Sequence, residues 1–326
     1  MYLYAVKVRT ESLTLFLTTR LNKYLMNAKA DARLTQSAAI FSICIAACLI
    51  LFKGFAWLDS DSSSVLASFA DSSLDILVSL INFFAIRWAF SPADKEHPFG
   101  HGKAESLAAL IQSAFISGSA FVLLLHAGER FINPKEIIAW QGAVWVMVIS
   151  LVLTLVLIAY QRWVYLRTGS LAVKADSAHY VSDVMANIAV IFALVGASSG
   201  FSWLDPLVAG LIVLALLKSA FGIAKEALNM LMDHALDPEV DQLVRRLVAG
   251  NDKILGCHDI KTRQSGNVQF IQVHLDFAID CLLADAHFEG ESLVAEIIKL
   301  YPRADVLIHH DPIHANPTHD NPVHDD

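Results

Sequence analysis

Six long apolar stretches occupy most of the chain up to Met232 and limit what it can fold into. Each is close to the roughly 20 residues that an α-helix needs to cross the hydrocarbon core of a bilayer. Charged residues make up only 17% of the 326 residues, whereas soluble domains carry roughly 25%. The sequence therefore predicts an α-helical membrane protein with six transmembrane helices. The predicted segments are residues 38–58, 64–90, 106–131, 137–160, 171–197 and 203–223.

Basic residues predict the orientation of these helices. They cluster before the first segment and in the connections after the second and fourth segments, which the positive-inside rule assigns to the cytoplasm. An even number of spans then places both the N- and the C-terminus in the cytoplasm. We see no basic stripe that would suit nucleic acid, so membrane lipid is the expected surrounding and a nucleic-acid partner is not expected. The basic residues are Lys23, Lys29, Arg33, Arg87, Lys95, Lys103, Arg162, Arg167 and Lys174.

Beyond Met232 the hydrophobic pattern becomes that of a small soluble domain. Asp237, Pro238 and Glu239 form a typical helix start, and polar and apolar residues alternate over residues 268–279 as in a strand. The predicted order is αββαβ, an α+β domain whose shape is common among metallochaperone-like domains. The later elements are predicted at 254–264, 268–279, 284–300 and 305–310.

The pattern divides the chain into four parts. These are an N-terminal cytoplasmic extension (1–33), a six-helix transmembrane domain (34–232), a cytoplasmic metal-binding domain (233–312) and a His-containing tail (313–326). The tail places histidines among Asn, Pro and Asp, a composition typical of disorder. The extension has no convincing secretory signal, and Met26 is an alternative start.

Two pairs of ionisable residues fall inside apolar segments. Asp71 and Asp75 lie in the second segment, and His179 and Asp183 lie in the fifth. Residues four apart share one helix face, and ionisable side chains in the membrane usually mark an ion or proton site because they are costly there. At about 1.5 Å per residue all four lie roughly 10 to 18 Å from the surface at which their segment begins. Both pairs are therefore expected near the middle of the bilayer.

Three carboxylates and one imidazole form a donor set that suits tetrahedral zinc, and the set would also accept cadmium, iron(II), cobalt or manganese. Metal ligands must lose their protons to bind, so metal and protons compete for the same groups. A conformational change that carries one inward and the other outward gives antiport. The alternative is that these acids cap, kink or hydrogen-bond neighbouring helices. Two matched pairs favour the metal site.

A second cluster lies in the motif DKEHPFGH between the second and third segments. Pro98 and Gly100 interrupt regular helix there, and Asp94, His97 and His101 could bind one cation. Loop histidines are more often simply solvated.

Histidines and acids of the soluble domain come from all three predicted strands and from its second helix. Convergence of imidazoles from neighbouring strands is what a metal cluster requires, whereas scattered surface histidines are the alternative. The candidates are His258, Asp259, His274, Asp276, His287, His309, His310 and Asp311.

Three of these motifs together resemble the signatures of the cation diffusion facilitator family. They are DSSLD at 71–75, DKEHPFGHGKAESLAAL at 94–110 and ADSAHYVSD at 175–183. The likeness is to the bacterial zinc/proton antiporter branch and covers residues from about 33 to 312. It implies a homodimeric, proton-coupled exporter of divalent metal in the bacterial inner membrane, which is a secondary transporter and not an enzyme. Zn²⁺ would be both transported and bound to the cytoplasmic domain.

The resemblance also implies a role for each candidate residue. Asp71, Asp75, His179 and Asp183 match the transport site, and Asp94, His97 and His101 match a second metal site. The binuclear cytoplasmic zinc site matches His258, His274, His287, His309 and Asp311, with His310 beside it. Lys103 and Asp233 match a salt bridge at the dimer's hinge.

Two other functions stay open at this point. A membrane metal sensor would bind zinc without net transport. A membrane-embedded metalloenzyme would use the same ligands to activate water, but no substrate-orienting motif or catalytic acid accompanies them.

Overall fold

The computed structural model describes residues 29–55, 58, 63–132, 141–198 and 204–313. The chain divides into two compact units, one ending at Met232 and the other beginning at Asp233. Most of the predicted N-terminal extension, the predicted start of the fourth segment at Ile137 and residues 314–326 of the predicted tail lie outside the described residues.

The described residues of the first unit form six helices of 27 to 30 residues each, namely α1 (Lys29–Phe55), α2 (Ser63–Ala89), α3 (Lys103–Ile132), α4 (Gln141–Thr168), α5 (Leu171–Ser198) and α6 (Leu204–Leu231). By length and composition, α1 to α4 each contain an apolar span long enough to cross a membrane. Helices α5 and α6 have similar lengths, at 28 residues each. The predicted fold class is confirmed.

The helices of this unit expose large apolar side chains and bury many polar ones. Phe84 and Phe221 are exposed, whereas Ser42, Gln112 and Gln161 are almost completely buried. This distribution suits a bilayer, where outward apolar side chains meet lipid and inward polar groups must find partners within the protein.

Helix α5 lies among the other helices. It packs against α2, α3, α4 and α6, and small residues such as Ala109 on α3, Ala175 on α5 and Ala220 on α6 are fully buried in their shared core. Small side chains let membrane helices approach closely. The helix that carries His179 and Asp183 is therefore surrounded by protein over residues 171–185.

Helix α4 is longer than the sequence predicted. Residues 161–168, predicted as the connection to the fifth segment, form its last two turns. Its end comes at Gly169, whose φ of +70° suits glycine and whose N–H donates to the carbonyl of Tyr165. The predicted apolar segment ends at Tyr160, and the polar Gln161 that follows it is fully buried inside the unit.

The second unit has the predicted αββαβ order. Its sheet has the strand order β1-β2-β3, with β1 antiparallel and β3 parallel to β2. Alternate residues of β2 from Ile271 to Phe277 pack with the two helices into one core. The elements are α7 (Pro238–Ala249), β1 (Gly256–Ser265), β2 (Val268–Ala278), α8 (Leu283–Leu300) and β3 (Ala304–Ile313).

A bulge interrupts β1 between His258 and Lys261, with Asp259 at a φ of +50°. The extra residue changes the alternation of the strand. His258 and Lys261 both pair with residues of β2 whose side chains lie on the face opposite the core, whereas Ile260 packs into the core. Sequence alternation alone does not reveal this bulge.

The core of the second unit predicts a contrast between two leucines. Leu275→Ala on β2 should lower the free energy of local unfolding by about 2–5 kcal/mol, because Leu275 is fully buried. Leu283→Ala on α8 should change it by about 0.5 kcal/mol or less, because Leu283 is 77% exposed. Hydrogen exchange of the β2 amides in the full-length protein measures both, and equal effects would contradict the assigned core.

Candidate metal sites

The first candidate site joins α2 and α5. The ligand atoms of Asp75, His179 and Asp183 all lie within 4.8 Å of one another. Nε2 of His179 is 3.2 Å from Oδ1 of Asp75, and both residues are buried while Asp183 is half-buried. Two carboxylates and an imidazole gathered this closely can share one divalent cation.

The fourth predicted ligand, Asp71, lies one helical turn before Asp75 on α2, and its side chain is outside the described residues. Its spacing keeps it on the face that carries Asp75. It stays a predicted ligand.

A neighbouring hydrogen bond joins the two helices beside this cluster. The hydroxyls of Ser79 on α2 and Tyr180 on α5 are 2.9 Å apart, and both residues are fully buried. Within the described part of the chain, Nδ1 of His179 is buried with no hydrogen-bond partner. The cluster thus combines this ring nitrogen with two carboxylates, a set that is rich in acceptors and suited to a cation.

Asp176 is a residue that the sequence analysis did not single out. It lies on α5 three residues before His179, and its carboxylate is fully buried and accepts hydrogen bonds from three other helices. The signal available in the sequence was a second acid on the face that carries His179 and Asp183.

The second candidate site lies in the loop between α2 and α3. Oδ1 of Asp94 is 3.3 Å from Nδ1 of His97, Oδ2 is 3.3 Å from Nε2 of His101, and the two ring nitrogens are 3.2 Å apart. The structure therefore brings all three predicted residues together.

Local backbone geometry holds Asp94 in this position. The backbone N–H groups of Glu96 and His97 donate to Oδ1 at 2.9 and 2.6 Å. The bond from His97 in particular lowers the pKa of Asp94 below its usual value. Gly100 has a φ of +79°, which favours glycine and completes the turn before the buried His101.

The third candidate site lies on the sheet of the second unit. Ligand atoms of His258 on β1, His274 on β2 and Asp311 on β3 lie within 4.8 Å of one another. Nδ1 of His274 is 2.8 Å from Oδ2 of Asp311, and Nε2 of His309 is 3.1 Å from its Oδ1. His258 also approaches Asp276 at 3.3 Å, which adds a nearby carboxylate.

His310 and His287 form a separate contact. Their rings are 6.3 Å apart, and Nε2 of His310 lies so close to α8 that a Cβ on Gly290 would be 2.7 Å from it. His310 pairs with the buried Leu275 and so faces the core side of the sheet, whereas His309 faces the opposite side. Burial lowers the pKa of His310.

Lys103 and Asp233, the predicted hinge pair, each have partners within their own unit. Lys103 Nζ donates to the carbonyl of Leu231 at 3.2 Å, and Asp233 accepts from Arg263 at 3.1 Å. A salt bridge between them stays a prediction.

The two adjacent histidines of β3 predict different responses to the same substitution. His309→Ala should weaken zinc binding to the sheet cluster roughly 10-fold or more, because its Nε2 lies beside Asp311. His310→Ala should leave that affinity within about twofold, because its ring packs on α8. Equilibrium zinc binding by full-length protein carrying Asp75→Asn and Asp94→Asn, which remove the other clusters, measures both. Equal losses would contradict the assignment.

Comparison with known proteins matches both units to one family. The family profile described as the cation efflux transmembrane domain matches residues 39–232, and that described as the cation efflux protein, cytoplasmic domain, matches residues 236–313.

Individual relatives cover most of the chain. The cation-efflux pump FieF of Yersinia enterocolitica is 42% identical over 281 residues, which span 86% of this chain and 94% of the relative. The same-named pump of Shewanella oneidensis is 43% identical over 272 residues, which are 83% of this chain and 92% of the relative. That of Klebsiella pneumoniae is 44% identical over 280 residues, with 86% and 93% covered.

Proposed function

The chain belongs to the cation diffusion facilitator family, and on that premise we propose that it is a proton-coupled antiporter that exports zinc from the bacterial cytoplasm. Family membership makes it a multi-pass membrane protein of cation efflux, a transporter rather than an enzyme. The observation that carries the finer proposal is the cluster of Asp75, His179 and Asp183 between α2 and α5.

Zinc is proposed as the main cargo because the donor set mixes carboxylate oxygens with an imidazole nitrogen. Magnesium and calcium favour six or more oxygen ligands, whereas zinc accepts four mixed ligands in a tetrahedron. With Asp71 included, the site offers four such ligands. Cadmium, iron(II), cobalt and manganese are secondary cargoes of the same set.

Proton coupling follows from the cost of leaving this cluster empty. Ionised carboxylates that lie close together inside a membrane repel one another and are poorly solvated. When metal leaves, protons can restore neutrality on the same groups, and when metal returns it must displace them. Metal and proton therefore bind alternately, and transport follows if the two forms prefer opposite-facing conformations.

Zinc flux in reconstituted vesicles tests this mechanism. Asp75→Asn and Asp183→Asn keep the side-chain shape but remove a charged ligand, so each should reduce zinc flux to the leak of protein-free vesicles. Wild-type protein should move protons in the direction opposite to zinc, as followed by a pH-sensitive dye. The matched control is Asp241→Asn on α7, outside the three clusters, which should transport like wild type.

Three outcomes would count against the proposal. Unchanged flux in Asp183→Asn would remove the site assignment, and zinc flux without opposite proton movement would remove antiport. Tight zinc binding with no flux in wild type would favour a metal sensor instead.

We also propose that the protein is a homodimer in the inner membrane, with both termini in the cytoplasm, and that zinc on the second unit regulates transport. The match to the family's cytoplasmic domain supports this role. On the exposed side of the sheet, ligand atoms of His258, His274 and Asp311 lie within 4.8 Å of one another. Zinc bound there can influence transport only by favouring one conformation or association state over another.

Zinc-dependent association tests the regulatory role. Sedimentation of the detergent-solubilised protein should show that zinc strengthens the dimer, because a ligand that binds the dimer more tightly stabilises it. His258→Ala with His274→Ala should abolish this zinc dependence, while His234→Ala, an exposed histidine outside the clusters, should retain it. Zinc-dependent association that survives the double substitution would contradict the proposal.

A further inference from the structure

A fully buried carboxylate on α5 is held by donors from three other helices. Oδ2 of Asp176 accepts hydrogen bonds from Ser42 Oγ on α1 at 2.5 Å and from Gln161 Nε2 on α4 at 2.6 Å. Oδ1 accepts from Gln112 Nε2 on α3 at 2.8 Å. All four residues have exposures of 2% or less.

Three side-chain donors converge on the Asp176 carboxylate. One hydrogen of the Gln161 amide is directed to Asp176 and the other to Ser42 Oγ at 2.7 Å. Ser42 then uses its own hydrogen on Asp176, and Gln112 supplies a third donor. Carboxylate oxygens accept hydrogen bonds, so these three donors fix the carboxylate in one orientation.

Asp176 shares a helix face with two metal-ligand candidates. His179 follows it by three residues and Asp183 by seven, so all three project along one stripe of α5. A rotation of α5 about its axis would move Asp176 out of the network and turn His179 away from Asp75 together. The buried network and the ligand contact therefore constrain the same degree of freedom.

We infer that Asp176 is a positioning residue, whose carboxylate fixes the rotation of α5 so that His179 and Asp183 face α2. The inference rests on the proposed function, because zinc transport is its readout. Residues that orient metal ligands typically change metal affinity or activity 10- to 100-fold when substituted.

An exchange of functional groups between α4 and α5 tests the inference. Asp176→Asn alone turns an amide N–H₂ toward the donors of Gln161 and Ser42, and Gln161→Glu alone places a second carboxylate against Asp176. Each single variant should raise the KM for zinc flux roughly 10- to 100-fold. The double variant D176N/Q161E moves the carboxylate to α4 and the amide to α5, so that every hydrogen-bond donor of the network again faces an acceptor oxygen. Its KM should return to within about threefold of wild type.

Glu105→Gln is the matched control. Glu105 on α3 is also a buried carboxylate bound to α5, since its Oε1 accepts hydrogen bonds from Ser170 Oγ and from the N–H of Ala172. These contacts lie at the N-terminal end of α5 rather than on the stripe that carries the ligands. A glutamine oxygen can keep both hydrogen bonds. Its KM for zinc should stay within about twofold of wild type.

The outcomes separate positioning from other roles. A wild-type KM in Asp176→Asn would overturn the inference. A lower maximal rate at unchanged KM would overturn it as well, if the loss of rate matches the loss of folded protein recovered by gel filtration. An unrescued double variant would mean that the charge on α5 acts on the ion directly, and an equal rise in Glu105→Gln would mean a general effect of α5 anchoring. Either of these two results would also overturn the inference. Absence of zinc flux in wild type would instead reject the proposed function.

Discussion

The contact between Asp75 and His179 is the constraint on which the membrane unit depends. Ionisable side chains at the centre of a bilayer cost at least about 2.5–3.5 kcal/mol each unless they find partners. Helix α5 carries Asp176, His179 and Asp183 within its first half, so it cannot lie at the lipid boundary along that face. The packing of α5 against α2, α3, α4 and α6 follows from this requirement.

The buried acids of α5 are accommodated in two different ways. Asp176 receives three donors, so its carboxylate is satisfied by the protein itself. The cluster at Asp75 instead gathers two carboxylates round one imidazole, a set that is rich in acceptors. A satisfied carboxylate stabilises one arrangement of helices, whereas an acceptor-rich cluster gains from a cation. One turn of helix therefore separates a group that holds the bundle from a group that can bind cargo.

Features that depend on local spacing could be predicted from the sequence. The pairs four residues apart, the six apolar helices and the αββαβ order follow from periodicity, and Asp94, His97 and His101 lie within one short turn. Features that depend on distant partners could not. The apolar pattern ends before Gln161, whose buried partner Asp176 is on another helix, and the contacts of Asp176 need three other helices at once.

In the second unit, core packing decides which histidines can meet. Leu275 and its alternate neighbours on β2 face the helices, so His274 must face away from them. Register then places His258 and His309 opposite His274 on that open face, about one strand spacing away. The same alternation sends His310 toward α8. A slip of β3 by one residue would exchange the two histidines and break the cluster, so the metal site is specified by the apolar residues behind it as much as by its own ligands.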